Sequence, residues 1–399
     1  MMAKNQTFIW STGWWIENND AWFVSGEDNI LFHVDLSTGK CDNEACLPES
    51  NEKAYCLNPN CFKRDRDIFC IPGFEQCIWV YNLDNHIFTK IGIDKPKEPF
   101  GRGFWILGDA VYIVPGNWNK VIEMSISQRV ITNYYTICKN DSIQRSTLVG
   151  DKIYAASTGF GRIYQFDLFT KEMNTIFFPD MEKKCNTICF DGKRFWMSGY
   201  QKELYVWDKE RDNFTIISNF PEGFEIPDFR RDIDKNSNMA EMPMFSYSVV
   251  VGRYIWFIPR LAEKIVYVDV KNETLFLFDI FEADETKEQY LARVDLGLGN
   301  YLLEYVRDER YIGLFSTRNR RIVEIDAEQL SFQWKEYYLS DKYIQYCGKL
   351  CDGIYYEGSG SLYDQAYVME IQTANYKINN IEINDIGKKI HSSLVRERK

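Results

Sequence analysis

One pattern recurs along this chain in gapless register, and nothing else in the sequence restricts the fold as strongly. Residues 107–125, LGDAVYIVPGNWNKVIEMS, superpose on residues 251–269, VGRYIWFIPRLAEKIVYVD. Gly108 falls on Gly252, Tyr112 on Trp256, Pro115 on Pro259 and Lys120 on Lys264. Residues 149–167, 64–82, 308–326 and 17–35 fit the same frame. Residues 191–208 fit with one deletion, and residues 351–372 with a four-residue insertion, so eight units result. In the middle of the chain the anchors Asp65, Gly108, Gly150 and Gly192 stand 43, 42 and 42 residues apart. A period of this length marks a repeat architecture.

Each unit reads as four short strands. A first strand ends at a Gly-type turn, and an alternating run rich in Tyr and Trp follows. After a Pro, Ser or Gly turn comes a β-branched run such as 163–168, and then a fourth strand such as 175–178 or 274–278. Short strands with closely spaced turn signals indicate an all-β protein. One four-stranded sheet cannot bury both of its faces, so the copies must stack in a ring with large side chains filling the wedges. The 16% aromatic and 45% hydrophobic content suits strands and a full core. The expected fold is a single β-propeller of four-stranded blades over residues 1–387. Eight blades is the direct count; seven results if the weakest unit, 351–383, shares a sheet with residues 6–17. Wider anchor spacings place insertions at 219–244 and 279–300, each between a fourth strand and the next first strand, and residues 388–399 form a basic tail.

The unit GDKIY…RIYQFDLFTKE resembles kelch-like bacterial β-propeller repeats, and more loosely the quinone-type propellers. The resemblance covers nearly the whole chain and implies the fold, not an activity. The Gly-Gly pair that ends the second kelch strand is replaced here by Pro72, Pro115 and Pro259, or by Ser-Thr and Ser-Gly. The kelch Trp does not recur in the fourth strand.

Charge and composition narrow the partners. The net charge is −11, whereas phosphate backbones need a concentrated positive surface, so nucleic acid is not expected. No membrane span is expected, because no sufficiently long apolar run occurs. The start of the chain does not read as a signal peptide, so a cytoplasmic protein is expected. The 11 cysteines include no C-x-x-C pair. Cys41/Cys46, Cys56/Cys61, Cys185/Cys189 and Cys347/Cys351 are spaced too widely for zinc knuckles. They read as reduced, mostly buried thiols.

The propeller frame converts sequence position into geometry. The first strand of each blade is innermost, and the fourth-to-first links open on the same face as the second-to-third turns. Near the first-strand starts stand Arg102, Gln144, Arg145, Asn186, Ser246, Tyr247, Glu304 and Gln345. Arg230 and Arg231 lie in the first insertion and Arg293 in the second, while Lys120, Arg162, Lys264 and Arg321 end the second-to-third turns. Converging arginines fit carboxylate or phosphate, and a concave mouth focuses their field. The expected ligand site therefore comprises Arg102, Arg145, Asn186, Tyr247, Arg230, Arg231, Glu304 and Gln345. The competing account has the turn-end cations solvating their turns, with Arg102 and Arg145 lining the channel beside Glu304 or water.

Other motifs are thin. Asp232, Asp234, Asn236 and Asn238 alternate like the start of a calcium loop. However, Ser237 replaces the turn glycine and Pro243 stands where the bidentate Glu belongs. A solvated loop is the reading, with no cofactor and no metal site expected and calcium the alternative. No G-x-S-x-G, P-loop or H-E-x-x-H motif occurs. His33 falls in a third strand, and His86 in an Asp-Asn-His turn. The expected function is a non-catalytic binding protein or scaffold. It would engage a protein partner, or a small acidic or polyhydroxylated ligand, at this mouth. The alternative is a lyase or hydrolase acting on a glycan or acidic metabolite in the same funnel, using Tyr247, Glu304 or Asp228 with an arginine.

Overall fold

The structure, a computed structural model, describes residues 11, 13–25, 29–48, 60–73, 75–94, 103–114, 116, 119–137, 141–226, 243–280, 299–318, 321–335 and 337–339. These residues form seven antiparallel blades of four sequential strands. Blade 1 holds β1 (Trp15–Glu17), β2 (Asp20–Val24), β3 (Ile30–Asp35) and β4 (Lys40–Cys46). Blade 2 holds β5 (Asn60–Arg64), β6 (Asp67–Ile71), β7 (Cys77–Asn82) and β8 (Ile87–Gly92). Blade 3 holds β9 (Gly103–Leu107), β10 (Ala110–Val114), β11 (Lys120–Ser125) and β12 (Val130–Thr136). Blade 4 holds β13 (Ile143–Val149), β14 (Lys152–Ser157), β15 (Arg162–Asp167) and β16 (Met173–Phe177). Blade 5 holds β17 (Cys185–Phe190), β18 (Arg194–Gly199), β19 (Leu204–Asp208) and β20 (Asn213–Ile217). Blade 6 holds β21 (Phe245–Val251), β22 (Tyr254–Pro259), β23 (Ile265–Asp269) and β24 (Thr274–Phe278). Blade 7 holds β25 (Tyr301–Arg307), β26 (Tyr311–Ser316), β27 (Arg321–Asp326) and β28 (Ser331–Lys335). A last strand, β29 (Tyr338–Leu339), runs parallel to β4 on the outer edge of blade 1.

The turns repeat as faithfully as the strands. The first-to-second turn carries a left-handed residue at Asn18, Asp65, Gly108, Gly150, Gly192, Gly252 and Glu309, the sequence anchors Asp65, Gly108, Gly150 and Gly192 among them. In the third-to-fourth turn of six blades an Asp or Asn side chain accepts from the backbone two residues on, as in Asp35 with Ser37 N (2.8 Å), Asp167 with Phe169 N (2.9 Å) and Asp326 with Glu328 N (3.0 Å), and in blade 3 Ser125 Oγ accepts from Gln128 N at 3.2 Å. Such an Asx turn closes the hairpin locally. Its exit residue is left-handed in all seven blades: Gly39, His86, Arg129, Lys171, Asp212, Glu273 and Leu330.

Seven apolar clusters fill the seven seams. Trp22 and Val24 meet Cys70 and Trp79 between blades 1 and 2. Phe62 and Phe69 meet Ile113 and Ile122 between blades 2 and 3. Tyr112 and Val121 meet Tyr164 and Phe166 between blades 3 and 4, and Tyr154 meets Phe195 and Trp207 between blades 4 and 5. Trp196 packs with Phe245 and Phe257 between blades 5 and 6, and Trp256 with Leu314 and Val323 between blades 6 and 7. The last cluster joins Trp14, Phe23 and Phe32 to Tyr305, Phe315 and Tyr337, so blade 7 packs directly on blade 1.

That seam decides the blade number. Of the two closures open to the sequence, eight blades and seven, the structure adopts seven, because the wedge between blades 7 and 1 is already filled. The eighth self-similar stretch, 351–372, lies outside the described residues, as does the basic tail. The thiols of Cys41, Cys61, Cys70, Cys77, Cys185 and Cys189 are buried in blade cores. Burial pushes those of Cys61 and Cys189 up to about 12.

Leu330 holds a left-handed φ of 52° that Asn tolerates better. Leu330→Asn is expected to stabilise the fold by roughly 1 kcal/mol and raise Tm by about 2 °C in a thermal melt. Gly39→Val, at a φ of 74°, is expected to lower Tm by a larger amount.

Candidate functional site

A blade directs its side chains at the neighbouring blades, so its innermost strand presents an unpaired backbone edge to the axis. Such an edge must find hydrogen-bond partners. Four consecutive inner strands meet this requirement with an irregularity. Register shifts occur between Ile143 and Ser146 in β13, Cys185 and Thr187 in β17, Phe245 and Tyr247 in β21, and Leu303 and Tyr305 in β25. The residues set out of register are Gln144 and Arg145, Asn186, Ser246, and Glu304. A bulge breaks the alternation of a strand and re-aims its side chain.

These side chains stitch the inner edges together. Asn186 Nδ2 of blade 5 donates to the Phe245 carbonyl of blade 6 at 3.0 Å. Arg145 Nε of blade 4 donates to the next carbonyl, Ser246 O, at 3.3 Å. Its guanidinium stacks on the Tyr247 ring, 3.8 Å from the centroid. Arg145 thus reaches past blade 5 to blade 6. Lower down, Thr187 and Ser198 share a buried hydroxyl bond of 2.9 Å, and Trp105 Nε1 donates to Ser146 Oγ at 2.9 Å.

Glu304 sits apart from this group, in the seam between blades 7 and 1, and is 1% exposed. Its Oε1 accepts from Ser11 N at 3.2 Å, its Oε2 accepts from Ser11 Oγ, and its backbone carbonyl accepts from Trp14 N at 2.7 Å. Burial raises its pKa to about 8, with the Ser11 bonds opposing part of the rise. It is therefore mostly a neutral acid at pH 7, and its described partners are Ser11 and Trp14.

The structure therefore brings three of the expected site residues together: Arg145, Asn186 and Tyr247, with Ser246 between them. Arg102, Arg230, Arg231 and Gln345 lie outside the described residues, as do Asp228, Arg293 and the 232–238 run. The turn-end cations each have a described partner within their own blade. Arg162 Nε bonds Asp141 at 3.0 Å, and Lys264 pairs with Asp279 at 3.1 Å. Lys120 lies over Tyr134 and Arg321 over Trp334, both on fourth strands. Lys120, Lys264 and Arg321 thus meet residues on or just after their own fourth strands, whereas Arg162 is held by the buried Asp141 carboxylate. His33 pairs with Asp20 at 2.6 Å within blade 1, and His86 bonds Tyr81. No metal-binding group of His, Cys, Asp or Glu occurs among the described residues.

Two residues carry more than their sequence context indicated. The buried Asp141 carboxylate accepts from Ser157 Oγ (2.7 Å), Arg162, Tyr164 and Ser142 N, fixing the entry to β13. Ser11 holds Glu304. Neither stands in the repeat frame, and both become visible only when distant segments meet.

No protein-family model and no curated protein matches the sequence. Solved structures do match in shape. A streptogramin B lyase structure superposes with a TM-score of 0.55 at 12% identity, over 84% of this chain and 96% of that one. A catalytically inactive histidine-to-alanine form of virginiamycin B lyase from Staphylococcus aureus, bound to quinupristin, gives 0.56 at 12%, over 81% and 95%. The computationally designed Ika8 protein gives 0.51 at 8%, over 83% and 86%. At these identities the likeness concerns the fold: this chain is a seven-bladed β-propeller.

Removing a donor from the stitched edge leaves a buried carbonyl without its partner. Asn186→Ala is expected to cost about 1–3 kcal/mol, read as a lowered midpoint in denaturant. Tyr247→Phe keeps the ring beneath Arg145 and is expected to leave the midpoint nearly unchanged.

Proposed function

We propose that this protein is a non-catalytic propeller of kelch-like repeats that binds an acidic ligand at its polar channel mouth, with Arg145 as the anchoring cation. The ligand is a partner protein's acidic segment or a small acidic or polyhydroxylated molecule. The observation that carries this reading is the fixed pose of Arg145, held by the Tyr247 ring and the Ser246 carbonyl. A side chain already ordered loses less entropy on binding. The insertions expected from the sequence at 219–244 and 279–300 carry three further cations, Arg230, Arg231 and Arg293. On a chain of net charge −11, a local cationic site selects its ligand by position, not by bulk attraction.

The rival reading, a lyase or hydrolase, draws on the fold shared with the two lyases. One of those is inactive without a histidine. Among the described residues, His33 belongs to β3 and His86 to the turn between β7 and β8, both away from the inner strands, while His391 lies outside them. Tyr247 is buried under Arg145, and Glu304 is buried under Ser11. These placements favour binding over acid–base chemistry.

Titration calorimetry with a polyglutamate peptide, citrate and a neutral oligosaccharide tests the proposal. An Arg102→Gln/Arg145→Gln double variant is expected to lose at least about tenfold in affinity for the acidic probes, one ion-paired contact's worth, while Tm moves by only a few degrees. Undiminished affinity in that variant would rule the mouth out as the binding site.

A further inference from the structure

We propose that Cys61 and Cys70 are a redox-convertible pair, forming a reversible disulfide between β5 and β6 by exchange with a low-molecular-weight disulfide such as oxidised glutathione. Among the described residues, they are the one pair of cysteines that stand directly opposite each other on neighbouring strands. Cys41 and Cys46 share β4, and Cys185 and Cys189 share β17, so those pairs are spaced along a single strand.

The turn between β5 and β6 sets the geometry. Arg64 faces Asp67 across the two-residue turn Asp65-Arg66, and the pair that closes such a turn exchanges backbone hydrogen bonds. Pairs then alternate along the ladder. Lys63 with Ile68 does not exchange them, Phe62 with Phe69 does, and Cys61 with Cys70 does not. The last is therefore of the closer kind, with Cα atoms about 4.5 Å apart and both side chains on one face. A disulfide needs Cα atoms roughly 4.4–6.8 Å apart. The rung lies at the short end of that range, where the bond is strained and easily reduced. The neighbouring rung keeps this register: the Phe62 and Phe69 rings stack at 4.7 Å, parallel to within 1°. On the corresponding rung of blade 1, Trp14 and Phe23 meet ring to ring at 5.1 Å.

Cys77 is the competing partner. Burial, and then the neighbouring thiols of Cys61 and Cys77, push the Cys70 thiol up. Cys70 faces Trp79 on β7, and Cys77 stands two residues from Trp79. A diagonal neighbour of this kind is about 7–8 Å away, beyond disulfide reach. Geometry thus selects Cys61.

Cys61 also joins two blades. Its thiol donates to the Trp22 carbonyl of β2 at 3.4 Å, within the apolar cluster between blades 1 and 2. In the exchange, the Cys61 thiolate attacks one sulfur of the small disulfide and releases one small thiol. The Cys70 thiolate then attacks the Cys61 sulfur and the second small thiol leaves. The two cysteine sulfurs are oxidised, the small disulfide is reduced, and the cysteine protons end on the departing thiols. Oxidation removes the Cys61 donor, so a tie between blades becomes a tie within blade 2. Burial pushes the Cys61 thiol up to about 12, and the residue is 3% exposed. Thiolate is scarce while the seam is shut, so exchange proceeds through openings of the seam. The pair answers sustained oxidation, not a brief pulse.

Incubating the intact, folded protein with oxidised glutathione tests this. The incubation outlasts hydrogen exchange of the Cys61 and Cys70 amides, so that the seam has opened within it. Remaining thiols are then alkylated and the protein is cut with trypsin, which cleaves at Lys63, Arg64 and Arg66 between the two cysteines. A Cys61–Cys70 linkage is expected, placed by fragmentation and reversed by dithiothreitol. Cys77→Ser is expected to leave its yield unchanged. Cys70→Ser is expected to slow loss of the Cys61 thiol at least about tenfold, or to stop it at the mixed disulfide. Absence of the linkage in the native protein after that period overturns the proposal, whatever the variants do. So does a bond from Cys70 to Cys77, or thiol loss confined to other cysteines.

Discussion

Neither face of a blade can be left in water. Every residue of β22 and β23 is buried, on both sides of the sheet. A lone four-stranded sheet with two apolar faces has no stable solution, so each must be covered by another copy, and the only closed arrangement of identical partners is a ring. Radial sheets diverge outward, and the gap between them is filled by large rings such as Tyr154 on Phe195 at 4.4 Å and Tyr135 on Phe166 at 5.0 Å. The aromatic content of the chain is thus a consequence of its geometry.

The same geometry creates the polar mouth. Stacking the sheets face to face leaves the edges of the inner strands looking at one another across the axis. There the carbonyls of Phe245 and Ser246 need donors, and Asn186 and Arg145 supply them from other blades. The bulges that make this reach possible are part of the closure, and they re-aim side chains of the inner strands out of the seam pattern. The ligand site proposed at this mouth would therefore be a by-product of ring construction. Arg145 is rigid because it completes an edge, and a rigid arginine is what recognition of an acid requires.

Much of the fold was legible because its cause is local. The left-handed anchors Gly108, Gly150 and Gly252 mark hairpins wherever they stand, and the Asp at 167, 269 and 326 closes its turn with its own backbone. The blade number was not legible. Self-similarity counts stretches that resemble one another, but closure depends on whether Trp14 and Tyr337 can fill the wedge beside Tyr305. The site was legible in part. Arg145 and Tyr247 stand at matching positions of their units and Asn186 one residue earlier in its own, so the repeat frame placed them near one level. Glu304 stands at a similar level, yet its chemistry is set by Ser11, 293 residues away in the chain.

Periodicity and turn chemistry in the amino-acid string were sufficient for strand order, blade composition and the polar character of one mouth. These follow from interactions between residues close in the chain, whose geometry is dictated by local backbone preference. The count of seven, the pairing of Arg145 with Tyr247 and the neutral state of Glu304 came only with the assembled ring. Each depends on contacts between segments far apart in sequence. The burial that sets a pKa or fills a seam exists only once those segments have met.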